Sequence, residues 1–147
     1  MSVRHLAMTG VAAAVMMATP AQAETFTVKM LNRGEKGSMV FEPDYLAIQP
    51  GDTVTFRAVN KGHNAATIDG FLPEGAPGFK GQINEELSVT FEQEGFYGIK
   101  CSPHYAMGMV GLIRVGEADL TDAIRNRNMP PRAKTRFDAI FAELEGE

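Results

Sequence analysis

Short segments of alternating polar and apolar residues, each closed by a turn, constrain the fold of this 147-residue chain more than any other feature. Alternation with a period of two places apolar side chains on one face of a β-strand. The predicted strands are residues 25–30, 45–48, 53–59, 87–91, 96–100 and 109–115. Turns that contain glycine or proline separate most of them. Six short strands joined in this way predict an all-β sandwich or barrel.

The pattern becomes helical towards the C-terminus. Residues 118–128 predict a short helix, with Asp119 or Thr121 as its N-cap. Residues 132–145 predict a second helix with apolar side chains on one face. Those side chains are Phe137, Ile140, Phe141 and Leu144. We therefore expect a sandwich domain over residues 24–117, followed by a helical extension over 118–147 that packs on it.

The first 23 residues predict an export signal. Arg4 gives the segment a basic start, residues 6–18 are mostly apolar, and Ala21-Gln22-Ala23 supplies the small residues that a signal peptidase needs. The apolar stretch is shorter than the about 20 residues that a membrane anchor requires. We therefore expect an exported chain that begins at Glu24 and carries no membrane span.

The charge balance excludes one broad class of function. The chain has 14 basic and 18 acidic side chains and a formal net charge of −4, which becomes −5 when Arg4 leaves with the signal. A general nucleic-acid-binding protein would carry a basic excess instead. The length suits one domain, which excludes a large enzyme with several cofactors.

Cys101 is the only cysteine in the chain. It therefore has no partner for an internal disulfide, and an exposed free thiol would be a liability in an oxidising compartment. The thiol must be buried and inert, paired with another molecule, or bound to a metal. Only His63 and His104 remain when the signal is removed, and His104 lies three residues after Cys101. That neighbour favours a metal site.

Thiol, imidazole and thioether groups are concentrated in residues 101–109. Cys101 continues the inward face of the strand at 96–100, so it lies where that strand ends and a loop begins. His63 follows a separate turn, and a sandwich can bring such loops together at one end. A thiolate and two imidazoles with a weak thioether form the ligand set of a blue-copper electron-transfer site. Zinc fits this set less well, and covalent haem needs a second cysteine.

Two methionines compete for the thioether position. Met109 starts the next predicted strand, and Gly108 lets the chain turn just before it re-enters the sandwich. Met107 is the rival because it is closer to His104 in sequence. We predict that Met109 is the ligand and that Met107 faces outward.

With these features the chain resembles the pseudoazurins, small bacterial blue-copper proteins of the cupredoxin superfamily. The resemblance rests on the His63-Asn64 pair, the Cys-x2-His-x4-Met spacing of residues 101–109, the Glu94-Gly95-Phe96-Tyr97 approach and the two C-terminal helices. It covers nearly the whole mature chain. Plastocyanins share the ligand spacing and lack the helical tail.

The resemblance implies an eight-stranded Greek-key cupredoxin sandwich with one copper ion that cycles between Cu(I) and Cu(II). His63, Cys101 and His104 would be the equatorial ligands and Met109 the axial ligand, and Asn64 would tie the His63 loop to the Cys101 loop. The protein would be a periplasmic electron carrier, a monomer and not an enzyme. Its redox partner would be a reductase such as copper nitrite reductase, or a c-type cytochrome.

Lys61, Lys80 and Lys100 lie in or beside the loops near these residues. We expect them to form a basic rim that steers an acidic partner. Two other functions use the same residues. A copper carrier or store would share the ligands and release the metal readily. A cysteine-dependent enzyme would use Cys101 as its nucleophile with a histidine base, although the sequence offers no convincing group to orient that base.

Overall fold

The computed structural model describes residues 20–147, so most of the predicted export signal, residues 1–19, lies outside the described residues. Eight strands form two four-stranded sheets. They are β1 (Thr25–Gly34), β2 (Gly37–Glu42), β3 (Tyr45–Ile48), β4 (Asp52–Ala58), β5 (Ala66–Thr67), β6 (Leu87–Phe91), β7 (Gly95–Lys100) and β8 (Val110–Val115). The all-β prediction is confirmed. The sequence pattern predicted six of these strands and missed β2 and β5.

The chain crosses repeatedly between the two sheets, as a Greek-key sandwich requires. The strand order is β2-β1-β4-β6 in the first sheet and β3-β8-β7-β5 in the second. β1 pairs with β4 and β3 pairs with β8 in parallel, whereas the other pairs are antiparallel. The antiparallel β7–β8 pair is central to the second sheet. It places the end of β7 beside the start of β8.

The main core lies between the sheets and comes from the apolar positions of the alternating strands. Its buried members include Val28, Met30, Phe41, Val54, Phe56, Tyr97, Ile99, Ile113 and Val115. Cys101 and Met109 belong to the same buried cluster. These two candidate ligands are therefore part of one end of the core, where they are excluded from water.

A long C-terminal helix, α2 (Pro131–Glu145), covers the outer face of the second sheet. Phe137, Ile140 and Phe141 are buried in a second cluster with residues of β7 and β8, and Leu144 is partly buried against it. As a consequence β7 is buried on both faces. Gly98 of β7 makes room for the Phe71 ring, since a Cβ at position 98 would lie 2.0 Å from a ring carbon.

The first predicted helix is shorter than expected. α1 spans only Asp122–Arg125, with Thr121 as its N-cap, and the Thr121 hydroxyl accepts a hydrogen bond from the Ile124 N–H at 3.3 Å. The Ala118 carbonyl instead accepts a hydrogen bond from Nε of Arg114 at 2.9 Å, so this carbonyl is satisfied outside a helix. Over residues 20–147, no helix is long and apolar enough to cross a membrane.

Candidate metal centre

The segment from Cys101 to Met109 forms a closed loop between β7 and β8. Most of it is a 3₁₀ helix, Ser102–Met107. The Cys101 N–H donates to the Met109 carbonyl at 3.1 Å, and the Met109 N–H donates to the His104 carbonyl at 3.1 Å. Gly108 ends the helix with φ at 91°, a left-handed conformation that costs glycine nothing. Backbone hydrogen bonds therefore close the loop where it leaves β7 and where it enters β8.

His63 lies in the loop after β4 and is held by a second loop. Its carbonyl accepts a hydrogen bond from the Asn84 N–H at 2.8 Å, and the Asn84 side-chain oxygen accepts one from the Gly62 N–H at 2.8 Å. Asn84 itself has φ at 68°, which a short polar side chain tolerates better than most. These contacts fix the backbone at His63, whose side chain is completely buried.

The structure brings His63, Cys101 and His104 together. Cys101 Sγ lies 3.7 Å from His63 Nδ1 and 3.4 Å from His104 Nδ1, and the two Nδ1 atoms are 3.2 Å apart. Cys101 and His63 are fully buried, whereas His104 is partly exposed. One thiol sulfur and two ring nitrogens thus point at a common centre.

A residue that the sequence analysis missed, Asn32, fixes the orientation of His63. The Asn32 side-chain oxygen lies 2.8 Å from His63 Nε2. An amide oxygen only accepts hydrogen bonds, so Nε2 carries the proton and the neutral ring keeps its lone pair on Nδ1. A histidine that binds a metal through one ring nitrogen usually donates the N–H of the other ring nitrogen to such an acceptor. His63 is therefore held in the tautomer that can bind a cation through Nδ1.

Asn64 ties the two ligand loops together, as expected. Its side-chain oxygen accepts a hydrogen bond from the Ser102 N–H at 2.7 Å, and its amide nitrogen donates to the Gly81 carbonyl at 3.0 Å and to the Ser102 hydroxyl at 3.1 Å. The side chain is buried, with 2 % of its surface exposed. Every polar atom of the amide has a partner, so the link resists displacement.

Burial favours the uncharged forms of the Cys101 thiol and the His63 imidazole. Burial raises the pKa of the Cys101 thiol, and backbone N–H groups of Asn64 and His104 oppose that rise. Burial lowers the pKa of His63, and a charge on His104 lowers it further. The neutral imidazole is ready to bind a metal at neutral pH, while the thiol must release its proton as the metal binds.

The donor set fits a soft, monovalent or divalent transition metal. Burying a thiolate is costly without a positive charge beside it, and a bound cation would supply that charge. Thiolate and imidazole are ligands that copper prefers, and a thioether adds a further soft donor. Met109 is fully buried in the same cluster as Cys101, whereas Met107 is 42 % exposed. The burial of the two methionines therefore favours Met109 as the thioether.

The surface around the site carries basic side chains. Ala66 of β5 pairs with Lys100 of β7 on one side and with Lys80 on the other. The Lys100 ammonium group lies 5.3 Å from the centre of the Tyr105 ring. Lys61 is exposed in the loop before His63. Among the ion pairs formed within residues 20–147, none involves these three lysines. Their charges remain available to a partner.

Comparisons with known proteins agree with this site. The model of the copper-binding proteins of the plastocyanin/azurin family matches residues 28–116. A pseudoazurin from Paracoccus pantotrophus is 44 % identical over 142 residues, which cover 95 % of this chain and 98 % of that protein.

Solved structures give the same result. The pseudoazurin from Methylobacterium extorquens AM1 has a TM-score of 0.78 at 42 % identity, covering 82 % of this chain and 98 % of that one. The pseudoazurin from Hyphomicrobium denitrificans has a TM-score of 0.76 at 38 % identity, covering 81 % and 97 %. The eight strands and the C-terminal helices thus form a cupredoxin fold. The chain belongs to the plastocyanin/azurin family of copper-binding proteins, and within it to the pseudoazurins, which are copper electron-transfer proteins and not enzymes.

Proposed function

We propose that His63, Cys101, His104 and Met109 hold one copper ion, and that the protein carries single electrons in the periplasm to a reductase such as copper nitrite reductase. The observation that supports this most directly is the cluster of Cys101, His63 and His104. Their ligand atoms lie within 4.8 Å of one another at the buried end of the core. Bound copper would supply one-electron chemistry by alternating between Cu(I) and Cu(II).

The protein residues keep the ligand positions fixed while the charge of the site changes. Asn32 orients the His63 ring, and Asn64 joins the two ligand loops. Gly108 fits closely against α2, because a Cβ at this position would lie 2.9 Å from the Arg132 carbonyl oxygen. Packing of this density resists rearrangement. A site that moves little between oxidation states needs little reorganisation, and this favours rapid electron transfer.

His104 is the proposed route for electrons to and from the surface. It is partly exposed, whereas His63, Cys101 and Met109 are each fully buried. Pro103 and the 42 % exposed Met107 flank it within the same loop and give the surface an apolar character. A partner that docks here would approach the site through a single imidazole. Four protein ligands would leave no open position on the metal for a substrate, which suits a carrier.

Adding Cu(II) to the metal-free protein tests the proposal. We expect one equivalent of copper to produce an intense blue colour and a paramagnetic resonance spectrum with narrow copper hyperfine splitting, because a buried thiolate binds the metal. Repeated reduction and oxidation should then proceed without loss of copper. Release of the metal during these cycles would instead favour a copper carrier or store, and a colourless product would reject the ligand set.

Docking to an acidic partner is proposed to depend on Lys61, Lys80 and Lys100. Reversing one charge, as in Lys80→Glu, should slow association with an acidic reductase by about threefold to tenfold at low salt and weaken the salt dependence. Salt screens such charges over about 10 Å at 0.1 M ionic strength. Electron-transfer rates measured against ionic strength with one partner protein check this expectation.

A matched control separates local charge from net charge. Lys29→Glu makes the same change of charge on the outer face of β1, where Lys29 is exposed between the buried Val28 and Met30. We expect it to affect the association rate less than Lys80→Glu does. Equal rates and salt slopes for the two variants would leave the lysine rim without a steering role, and docking would then depend on the apolar surface around His104.

A further inference from the structure

Met39 is one of two residues other than glycine, within residues 20–147, that have a positive φ. Its φ of 52° is unusual for a methionine and persists only where the surroundings hold it. Arg136 of α2 supplies such a restraint. Its Nη1 donates to the Met39 carbonyl and its Nη2 donates to the Ser38 carbonyl, each at 2.5 Å. One planar guanidinium therefore holds the backbone on both sides of Met39.

The helix that carries Arg136 is itself firmly placed. The adjacent Phe137 is fully buried and packs against Phe71, and Ile140 is fully buried as well. A second contact joins α2 to the same hairpin, because Lys36 in the β1–β2 turn forms an ion pair with Glu143 at 2.8 Å. Both groups of that pair are about half exposed, so it adds little stability. Arg136 is the stronger of the two connections.

The clamped residue lies next to the residue that orients His63. The register of the β1–β2 pairing places Met39 in β2 opposite Asn32 in β1. The cross-strand pairs on either side of them are Leu31 with Val40 and Arg33 with Ser38. Asn32 accepts the Nε2–H of His63 at 2.8 Å, and its own N–H donates to the Asn60 side-chain oxygen at 2.9 Å. The position of the hairpin therefore contributes to where this acceptor lies. The contacts form a continuous path from α2 through β2 and β1 to His63.

We propose that Arg136 is a positioning residue for the metal centre. By holding Ser38 and Met39 it fixes the hairpin, and thereby the Asn32 oxygen that orients the His63 imidazole. The partner of the second ring nitrogen sets the orientation and basicity of a metal-binding histidine. This inference rests on the proposed role of His63 as a copper ligand. It gives the C-terminal helix a function at the copper site in addition to covering the sheet.

The variant Arg136→Met tests the proposal, because it removes both donors and keeps much of the apolar stem. The measurement is the solvent-exchange rate of the His63 Nε2–H proton, followed by nuclear magnetic resonance in the Cu(I) protein. We expect exchange to become faster by about tenfold or more, since local opening of the hairpin would free the proton from Asn32. The paramagnetic resonance spectrum of the Cu(II) form should change as well.

Lys36→Met is the matched control, because it cuts the ion pair between the hairpin and Glu143 of α2, together with the Lys36–Asp44 pair at 2.8 Å. It should leave His63 Nε2–H exchange close to that of the parent protein, even if both variants lose some thermal stability. Arg136→Lys keeps one charged donor without the planar fork, so we expect an intermediate exchange rate. This variant also carries the test if Arg136→Met fails to fold.

The outcomes separate this proposal from the assignment of the ligands. If Arg136→Met is blue and its His63 Nε2–H exchanges at the parent rate, Arg136 has no positioning role. Equal acceleration in Arg136→Met and Lys36→Met would also reject the proposal, because general loosening of the hairpin would then explain the effect. A parent protein that does not turn blue with copper would reject the ligand set instead.

Discussion

Replacing Cys101 with serine is expected to remove more than about 90 % of the visible absorption of the copper protein, because the intense colour comes from the copper–thiolate bond. Serine is similar in size, and its hydroxyl does not ionise to a comparable ligand near neutral pH. The variant should bind copper more weakly through His63 and His104. A titration of metal-free protein with Cu(II), followed by visible absorption and paramagnetic resonance, measures both effects.

Ser102→Ala is the matched control for this change. Ser102 lies next to Cys101, and its hydroxyl accepts a hydrogen bond from the Asn64 amide, but it contributes no soft donor. We expect the control to stay blue. Both variants should keep the sandwich, because the aromatic and aliphatic side chains between the sheets form the core without the metal. Full colour in folded Cys101→Ser would end the blue-copper assignment.

The sequence predicted the strands whose alternation is regular. In β4, for example, Asp52, Val54 and Phe56 are buried and the residues between them are more exposed, which is the period of two that the pattern indicated. The second helix was equally clear. Its apolar side chains recur at helical spacing, and Phe137, Ile140 and Phe141 are buried. Where the spacing of apolar residues matches the burial of their side chains, a single sequence is sufficient to predict the strand or helix.

The two strands that were missed have no such pattern. In β2, Val40 and Phe41 are buried consecutively, next to the left-handed Met39, so the alternation is broken. The whole of β5 is two residues long, and it is defined by pairing with β7 at Ala66 and Thr67. Such a strand depends on its tertiary neighbour. Local propensity carries almost no information about it.

The candidate ligands could be predicted from the sequence, whereas the residues that hold them in place could not. Cys101 and His104 were found by spacing, and His63 by the scarcity of histidine, because these residue types are rare and chemically specific. Asn32 is an exposed asparagine in a strand, and the residues around it give no sign that it orients a histidine. The parallel pairing of β1 with β4, which ends at Met30 and Ala58, carries it towards the His63 loop, and this long-range contact leaves no trace in the local sequence. The same holds for Arg136, which is 97 residues from its acceptor Met39.

Met109→Gln is expected to keep copper in the site and lower its reduction potential by more than about 60 mV, a factor of ten in the ratio of Cu(II) to Cu(I) for a one-electron couple. The reason is that an amide oxygen is a harder donor than a thioether, so it favours Cu(II). Glutamine has nearly the length of methionine and can reach the same position. Potentiometric titration of the parent and variant proteins measures the difference.

Met107→Gln makes the same chemical change two residues away and serves as the control. Because Met107 is 42 % exposed and Met109 is fully buried, we expect the potential of this variant to stay close to that of the parent. Its effect should fall on partner docking, since it places a polar group on the apolar surface beside His104. If Met107→Gln lowers the potential and Met109→Gln does not, Met107 is the axial ligand and the proposed assignment of Met109 is wrong.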